Sequence, residues 1–184
     1  MIFNETPIAG AFVIELDRRE DERGFFARAF CEIEFSAHGL SNRMVQLNNS
    51  LSRRKGTVRG MHYQLAPKAE TKLVRCIRGT LFDIILDLRK GSPTFGKAFG
   101  TELSAENRKA IYAPKGFAHG FITLEDNTEA LYFVDEFYSP AHERCIRWND
   151  PRFNIAWPAP MVMISEKDRN QKDFDPIWHL EAPQ

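Results

Sequence analysis

The sequence predicts an all-β protein, built as a double-sheet sandwich or jelly roll with a few short helices. Many short segments alternate between apolar and polar residues with a period of two, and glycine or proline bounds them at turns. Helical patterns are few, and the longest covers only about two turns. Fifteen phenylalanines are many for 184 residues and favour packed sheets over a helical bundle. Short strands at this spacing indicate a sandwich and not a βαβ sheet.

The alternation is clearest in residues 81–88. One face of this predicted strand is wholly apolar, and the other face carries two aspartates. Further strands are predicted over residues 72–77, 110–113, 121–124 and 129–137. Because residues 110–113 and 121–124 flank the turn Pro114-Lys115-Gly116, we expect them to form a hairpin-like unit. The strand over 129–137 should end before Pro140, since proline interrupts a sheet.

Helices are expected over residues 30–38 and 165–170, and Gly39 is a suitable C-terminal stop for the first. The segment SAEN (104–107) is typical of a capped single turn. No repeat and no linker divides the chain, so residues 1–184 predict one domain. Residues 169–184 are polar and contain prolines, which predicts a tail along the surface.

The composition argues against several classes of partner. Twenty-five basic residues balance 25 acidic residues, so no positive field indicates nucleic-acid binding. No apolar run approaches the roughly 20 residues that a membrane span requires, and no secretory signal is visible. The three cysteines are far apart and form no CxxC pattern, which is typical of a reducing compartment. We therefore expect a cytoplasmic protein that has neither nucleic acid nor membrane as a partner.

Two histidines lie in segments that contain glycine. His62 is in RGMHYQ (59–64), and His119 is in PKGFAHG (114–120). Most single histidines are satisfied by hydrogen bonds and have no chemical role, and this interpretation stays open for both. The alternative for His62 is a general base, because imidazole has an ordinary pKa near neutrality. Lys72 follows His62 and could place a positive charge next to an anionic ligand.

The segment around His119 resembles the second motif of the cupin superfamily. In many cupins the first motif reads His-x-His with a downstream glutamate, and these residues bind a metal. Here the first motif contains only His62, followed by Gln64, and the downstream residue is Lys72. A lysine would repel a divalent ion, and two histidines without a carboxylate form a poor site. The sequence therefore predicts no metal site.

Arg23 and Arg59 each precede a glycine, where a bend of the backbone can direct the side chain. Guanidinium groups bind phosphate oxygens in a bidentate manner, so the two arginines are consistent with a phosphorylated ligand. Both could equally be ordinary surface residues.

Tyr132 and Tyr138 are six residues apart in a predicted strand, so both should lie on one face. Core packing explains them as well as function does. A phenol in a polar pocket can also act as a general acid, and a second one can stack on a nucleobase. Asp168, in SEKD (165–168), could either cap a turn or orient His62 and stabilise its imidazolium form.

Ordered motifs over about residues 21–168 resemble the dTDP-4-dehydrorhamnose 3,5-epimerase family of nucleotide-sugar epimerases. The matching segments are DERGFF (21–26), Gln46 with Asn48, KGTVRGMHYQ (55–64), KLVR (72–75), DLR (87–89), SPT (92–94), LSAEN (103–107), GFAHGF (116–121), Tyr132, YSP (138–140), RWNDP (147–151) and SEKD (165–168).

The resemblance implies a metal-free cupin-type jelly roll without a cofactor. It also implies a homodimer in which the N-terminal strand crosses to the partner. The implied substrate is a 4-keto-6-deoxy sugar on a nucleoside diphosphate. The implied reaction inverts carbons 3 and 5 of dTDP-4-dehydro-6-deoxy-D-glucose to give dTDP-4-dehydro-L-rhamnose, a step of dTDP-rhamnose and O-antigen biosynthesis.

The resemblance also implies the role of each site residue. His62 is the base, Asp168 orients it, Lys72 stabilises the enolate oxygen and Tyr132 is the acid. The implied substrate-binding residues are Arg23, Gln46, Asn48, Arg59, His119, Tyr138, Glu143 and Lys167, with Arg23 and Arg59 on the phosphates and Tyr138 stacked on the base.

The sequence departs from the family pattern at Arg19, at Arg28 and at Phe133-Val134, and the segment from Gln46 to His62 is one residue longer. A CDP-sugar epimerase and a 3-epimerase are therefore alternatives within the family. A non-catalytic cupin sugar-binding module predicts a missing base or acid, whereas the sequence contains candidates for both. A metal-dependent cupin enzyme predicts activity that chelators abolish.

Overall fold

The computed structural model describes residues 1–181, which form short strands and three short helices. In chain order the strands are β1 (Ile2–Glu5), β2 (Phe12–Glu15), β3 (Arg19–Asp21), β4 (Gly24–Phe26), β5 (Gln46–Ser52), β6 (Thr57–Gln64), β7 (Lys72–Arg78), β8 (Thr80–Asp87), β9 (Ala98–Ser104), β10 (Ala110–Ala113), β11 (Phe117–Thr123), β12 (Thr128–Val134), β13 (Glu143–Cys145) and β14 (Met163–Ile164). The helices are α1 (Glu32–Ala37), α2 (Glu166–Arg169) and α3 (Pro176–Leu180).

Two large sheets form a sandwich, which confirms the predicted all-β architecture. The first sheet has the strand order β1-β2-β10-β7-β12-β5. The second has the order β13-β6-β11-β8-β9, with β14 parallel to β6. A cluster of buried residues from both sheets fills one part of the space between them. The β3–β4 hairpin forms a separate two-stranded sheet.

From β5 to β13, consecutive strands alternate between the two sheets, except that β8 and β9 are neighbours in the second sheet. β7 belongs to the first sheet and β8 to the second, and β10 and β11 are divided in the same way. The hairpin predicted from residues 110–113 and 121–124 is therefore wrong. The turn at Gly116, where φ is +85°, carries the chain across the sandwich, and β11 begins directly after it at Phe117. The strand predicted over residues 129–137 is also too long, because β12 ends at Val134.

β8 is buried on both of its faces. The wholly apolar face packs against a C-terminal segment that includes Phe153. The opposite face, with Leu81 and Ile85, lies between the two sheets. Asp83 and Asp87 share that inner face and are fully buried. Asp83 lies within the strand, and Asp87 lies at its end, where the following loop begins.

β6 and β11 approach each other closely at two glycines. A Cβ on Gly60 would lie 2.6 Å from the Cα of Gly120, and φ at Gly60 is +109°. The register of the two strands shifts at this point, between His119 and Phe121. The backbone bend predicted next to Arg59 is thus present, and neither glycine can accept a side chain without moving the strands.

The predicted helices are confirmed, with small differences in their ends. α1 lies within residues 30–38, and Gly39 follows it with φ of +69°. α2 is capped by the Ser165 hydroxyl, which accepts from the backbone N–H of Asp168. The Ser104 hydroxyl accepts from the N–H of Asn107, as expected for the single turn.

The C-terminal segment packs on the second sheet through α3. His179 of this helix is buried, and its carbonyl oxygen accepts a hydrogen bond of 2.8 Å from the Tyr63 hydroxyl. The Arg144 guanidinium donates to the carbonyl of Trp178 at 2.8 Å. Residues 182–184 of the predicted tail lie outside the described residues.

Among residues 1–181, no helix has the length and apolar character needed to cross a membrane.

The loop after β8 is organised by the buried carboxylate of Asp87. It accepts hydrogen bonds from the Arg89 guanidinium, the Ser92 hydroxyl and the Thr94 hydroxyl at 2.6–2.9 Å. Burial acts to raise the pKa of Asp87, but these hydrogen bonds outweigh it and hold the pKa well below the ordinary range. The segments DLR (87–89) and SPT (92–94) are therefore joined by hydrogen bonds to one carboxylate.

We expect Asp87→Asn to lower the free energy of unfolding at pH 7 by roughly 1.5–3 kcal/mol, since the Arg89 guanidinium loses its charged acceptor. The folded-state pKa of Asp87 is depressed, so its contribution is present above the ordinary aspartate pKa of about 3.9 and is lost as pH falls below it. Urea unfolding at pH 7 and at lower pH measures both effects. Asp173→Asn, at an exposed ion pair with Arg147, is the control. Equal unfolding free energies for wild type and Asp87→Asn would contradict this role.

Candidate active site

A cavity lies between the sheets and has two compartments that share His62, Lys72 and Tyr132. The first compartment, of about 460 Å³, is lined by Ser50, Thr57, Val58, Arg59, His119, Phe121, Met163, Ile164, Ser165, Lys167 and Asp168 as well. The second, of about 370 Å³, is lined by Gln46, Asn48, Tyr63, Gln64, Glu70, Val134, Tyr138 and Glu143 as well. The structure thus brings together every predicted site residue except Arg23.

His62 and Asp168 form a hydrogen-bonded pair across 106 positions of sequence. His62 is on β6, and its Nε2 lies 2.8 Å from Oδ1 of Asp168 on α2. The imidazole is about one-third exposed, whereas the carboxylate is buried. With Nε2–H donating to Asp168, Nδ1 carries the lone pair and can accept a proton.

The surroundings of Asp168 keep its carboxylate ionised. Burial acts to raise the pKa of Asp168, but the hydrogen bond and charge of His62 and the backbone N–H of Gly60 outweigh burial. The pKa is therefore held below its ordinary value. Of the two roles considered for Asp168, capping a turn belongs to Ser165, which caps α2, and Asp168 itself binds His62.

Tyr132 lines both compartments from β12 of the first sheet, whereas His62 belongs to the second sheet. The phenol and the imidazole therefore reach the cavity from opposite sheets. Burial and the negative charge of Glu70 raise the pKa of Tyr132, and Arg59 opposes this. A raised pKa keeps the phenol protonated and able to donate at neutral pH.

Lys72 is almost fully buried, and its ammonium has two protein acceptors. The Nζ atom lies 3.0 Å from Oε1 of Glu70 and donates to the main-chain oxygen of His62 at 3.0 Å. Glu70 compensates the buried positive charge, which would otherwise be costly. Glu70 is not among the site residues predicted from the sequence.

His119 forms a second imidazole–carboxylate pair, with Asp83 of β8. Its Nε2 lies 2.8 Å from Oδ2 of Asp83, and both side chains are buried. His119 also lies directly opposite His62 in the β6–β11 register. Oδ1 of Asp83 has no hydrogen-bond partner among the described residues, and burial raises the pKa of this carboxyl. Sequence reasoning missed Asp83, although its position within an otherwise apolar strand was a usable signal.

The second compartment contains a network around Glu143. Oε2 of Glu143 accepts from the Tyr138 hydroxyl at 3.0 Å and from Nζ of Lys167 at 2.6 Å. Tyr138 lies beyond the end of β12, so its predicted place on that strand is wrong. A loop carries it to the cavity, where Oε1 of Gln46 accepts from its backbone N–H at 2.8 Å. Asn48, two residues after Gln46 on β5, lines the same compartment.

The two predicted phosphate-binding arginines differ in position. Arg59 lines the first compartment and donates to the Ser52 hydroxyl and the Leu51 carbonyl, each at 3.0 Å. Arg23 is at the tip of the β3–β4 hairpin, away from the cavity, and pairs with Asp21 at 2.6 Å. Its side chain is 85% exposed, so within one chain it contacts none of the cavity.

Three potential metal-ligand side chains, His62, Cys145 and Asp168, lie within 4.8 Å of one another. Burial raises the pKa of the Cys145 thiol, so the thiol keeps its proton and is a poor ligand. His62 and Asp168 already bond each other, and the Lys72 ammonium lies against the His62 carbonyl. This donor set does not fit a divalent ion.

Comparisons with known proteins identify the family of this chain. A sequence model of the family described as dTDP-4-dehydrorhamnose 3,5-epimerase matches residues 5–175. The dTDP-4-dehydrorhamnose 3,5-epimerase of Shigella flexneri is 46% identical over 171 residues, which cover 92% of this chain and 94% of that protein.

Solved structures are similar over nearly the whole chain. The crystal structure of dTDP-4-dehydrorhamnose 3,5-epimerase from Elizabethkingia anophelis has a TM-score of 0.91 and 41% identity, over 95% of this chain and 96% of that one. The dTDP-6-deoxy-D-glucose-3,5-epimerase of Legionella pneumophila, in complex with dTDP-4-keto-L-rhamnose, has a TM-score of 0.89 and 38% identity, over 100% and 98%. The sandwich is therefore the expected cupin-type jelly roll, and this protein belongs to the dTDP-4-dehydrorhamnose 3,5-epimerase family of isomerases.

Proposed function

We propose that this protein inverts carbons 3 and 5 of dTDP-4-dehydro-6-deoxy-D-glucose and produces dTDP-4-dehydro-L-rhamnose. The observation that carries the proposal is the arrangement of His62 and Tyr132, which line one cavity from opposite sheets. Inversion requires a proton to leave one face of a carbon and another to arrive on the opposite face. A base and an acid on opposite walls supply this arrangement.

The proposed chemistry uses the ketone of the substrate as the electron sink. Nδ1 of His62 takes the proton from a carbon next to the ketone, and the electron pair of the C–H bond passes to the carbonyl oxygen as an enolate. The Lys72 ammonium stabilises this negative oxygen. The Tyr132 hydroxyl then protonates the carbon from the other side, and the carbonyl forms again. The imidazolium of His62 then releases its proton to solvent and the Tyr132 phenolate takes one up, which restores both groups for the second carbon; the step changes no oxidation state.

Asp168 has a supporting role in this proposal. Its carboxylate fixes the ring orientation of His62 and stabilises the imidazolium that forms when His62 accepts a proton. The lowered pKa of Asp168 keeps this partner ionised at neutral pH. We assign catalytic roles to His62 and Tyr132 and an electrostatic role to Lys72.

The remaining cavity residues are assigned to the nucleoside diphosphate. Arg59 is proposed to bind phosphate, because its two hydrogen bonds are with neutral oxygens and its charge is available to an anion. Tyr138, more than half exposed at the cavity, is proposed to stack on the base. Gln46, Asn48, His119, Glu143 and Lys167 are proposed to contact the rest of the substrate.

We further propose that the active species is a homodimer in the cytoplasm, serving dTDP-rhamnose and O-antigen biosynthesis. Arg23 supports the dimer, because it lies on an exposed hairpin with Phe25 and Phe26 exposed beside it. An arginine and exposed phenylalanines at a hairpin tip suit a pocket on a second copy. The three unpaired cysteines support a reducing compartment.

His62→Asn should lower kcat about 10²–10⁴-fold, because the substituted amide cannot act as a base. Binding of dTDP should stay within about threefold of wild type, since His62 is assigned to the sugar and not to the nucleotide. The assay is NMR of dTDP-4-dehydro-6-deoxy-D-glucose in D₂O, with dTDP binding by calorimetry. In the wild-type reaction, deuterium at both carbons supports the 3,5-epimerase, and deuterium at carbon 3 alone indicates a 3-epimerase. Near-normal turnover by His62→Asn would refute the assignment of the base.

Tyr132→Phe should uncouple proton exchange from inversion. His62 can still remove and return a proton on its own face, so deuterium should enter carbon 5 without change of configuration. The measurement is the ratio of exchange to inversion in D₂O, with wild type as the reference. Loss of exchange and inversion in equal measure would argue against Tyr132 as a separate acid.

Mixed dimers test whether Arg23 acts in the partner's cavity. Arg23→Ala and His62→Asn chains should each have low activity, but refolded together they should regain turnover. In the mixed dimer, the cavity with intact His62 receives Arg23 from the other chain. Arg59→Ala mixed with His62→Asn is the matched control, because Arg59 lines the same cavity as His62 of its own chain. Recovery in neither mixture would contradict the exchange of Arg23.

A further inference from the structure

Glu70 lies between the turn after β6 and the start of β7, on the wall of the second compartment. Its side chain is only 12% exposed. Oε1 lies 3.0 Å from Nζ of Lys72, and Oε2 lies 3.5 Å from Nε2 of Gln64, which also donates to the carbonyl oxygens of Lys68 and Phe137. The two N–H groups of Gln64 are directed at those carbonyls, so the close partner of the Glu70 carboxylate is the Lys72 ammonium.

The position of Glu70 restricts the Lys72 ammonium. An ammonium group has three N–H donors and rotates freely when it has no acceptors. Here one donor faces Glu70 and a second bonds the main-chain oxygen of His62. Two fixed acceptors determine the direction of the third N–H, which is left for a ligand in the cavity that His62, Lys72 and Tyr132 share.

The two effects of Glu70 on Lys72 oppose each other. The negative charge of Glu70 weakens the field that Lys72 exerts on a developing enolate, which disfavours catalysis. The contact with Glu70 also fixes the ammonium in place, and preorganised charge contributes more than mobile charge because nothing must reorient during the reaction. Orientation is the larger effect here, since Lys72 is 9% exposed and, among residues 1–181, Glu70 and the His62 carbonyl are the two acceptors that hold its ammonium.

We propose that Glu70 is a positioning residue, which acts through Lys72 by directing the third N–H of its ammonium toward the oxygen on carbon 4 of the sugar. This inference rests on the proposed epimerase function and extends it to a residue outside the base–acid pair. Turnover should therefore depend on the length of the Glu70 side chain more than on its charge.

Two conservative variants separate reach from charge. Glu70→Gln keeps an acceptor oxygen at the same distance and removes the charge. Glu70→Asp keeps the charge and withdraws it by one methylene group. We expect Glu70→Asp to lower kcat roughly 10- to 100-fold with KM within about threefold, because misplacement of a catalytic group affects mainly the transition state. Glu70→Gln should keep most of the wild-type kcat.

Glu136→Asp is the matched control, because Glu136 also pairs with a lysine, Lys68 at 3.4 Å, but does not line the cavity. It should leave kcat unchanged. Introducing Glu70→Asp into a Lys72→Met background should cause no further loss, since the residue through which Glu70 acts is then absent. Residual exchange in D₂O provides the rate for this comparison.

A readout without substrate separates this inference from the proposed function. In protein labelled with ¹⁵N at lysine Nζ, the Lys72 ammonium, assigned from its absence in Lys72→Met, should give a protected signal in wild type and in Glu70→Gln. The signal should broaden or shift in Glu70→Asp. A wild type that does not turn over the sugar nucleotide would refute the epimerase alone.

The inference about Glu70 is overturned by any of three results. They are an unchanged Lys72 signal in Glu70→Asp, a loss of kcat in Glu70→Gln as large as in Glu70→Asp, or an undiminished effect of Glu70→Asp in the Lys72→Met background.

Discussion

The hydrogen bond between His62 and Asp168 connects the two parts of the chain on which the site depends. β14 runs parallel to β6, and α2 follows it directly, so the segment that carries Asp168 is held beside the strand that carries His62. The Asp168 carboxylate is buried and also receives the N–H of Gly60. A buried charge with fixed partners is stable only while all of them stay in place. The C-terminal segment is therefore part of the site.

The sandwich explains how a polar cavity can exist inside a hydrophobic fold. Only alternate residues of each strand face the interior, so one strand can contribute to both the apolar core and the cavity. β7 illustrates this, because Lys72 lines the cavity whereas Val74 and Cys76, two and four residues later, belong to the core. Each sheet supplies one wall, and chemistry that needs two opposite faces of a substrate suits this geometry.

Local patterns predicted the regularly alternating strands, but they predicted neither the remaining strands nor the pairing. The period-two alternation of residues 81–88 corresponds to β8, because side-chain direction along a strand is a local property. The hairpin expected around Gly116 was wrong, because the partner of a strand depends on contacts that are distant in sequence. For the same reason Tyr138 reaches the cavity from a loop, through a hydrogen bond to Gln46.

Sequence motifs predicted most of the residues that line the cavity. Eleven of the twelve predicted residues line the cavity, whereas Arg23 does not within one chain. Asp83 and Glu70 were missed because their role is visible only through the partners that they hold, His119 and Lys72. Asp168, by contrast, was predicted because it lies in the SEKD motif (165–168).

The positively charged side chains of the cavity differ in whether a carboxylate pairs with them. The Lys72 and Lys167 ammonium groups are each neutralised by a glutamate within 3.0 Å. Arg59 instead bonds two neutral oxygens, so its charge is the one that the described residues leave available to a diphosphate. The carboxylate behind the base and the phenol of the acid are tuned in opposite directions, because hydrogen bonds keep Asp168 ionised while burial keeps Tyr132 protonated. When the surroundings shift the pKa values of two groups in one cavity in opposite directions, proton removal and proton return can both occur at a single pH.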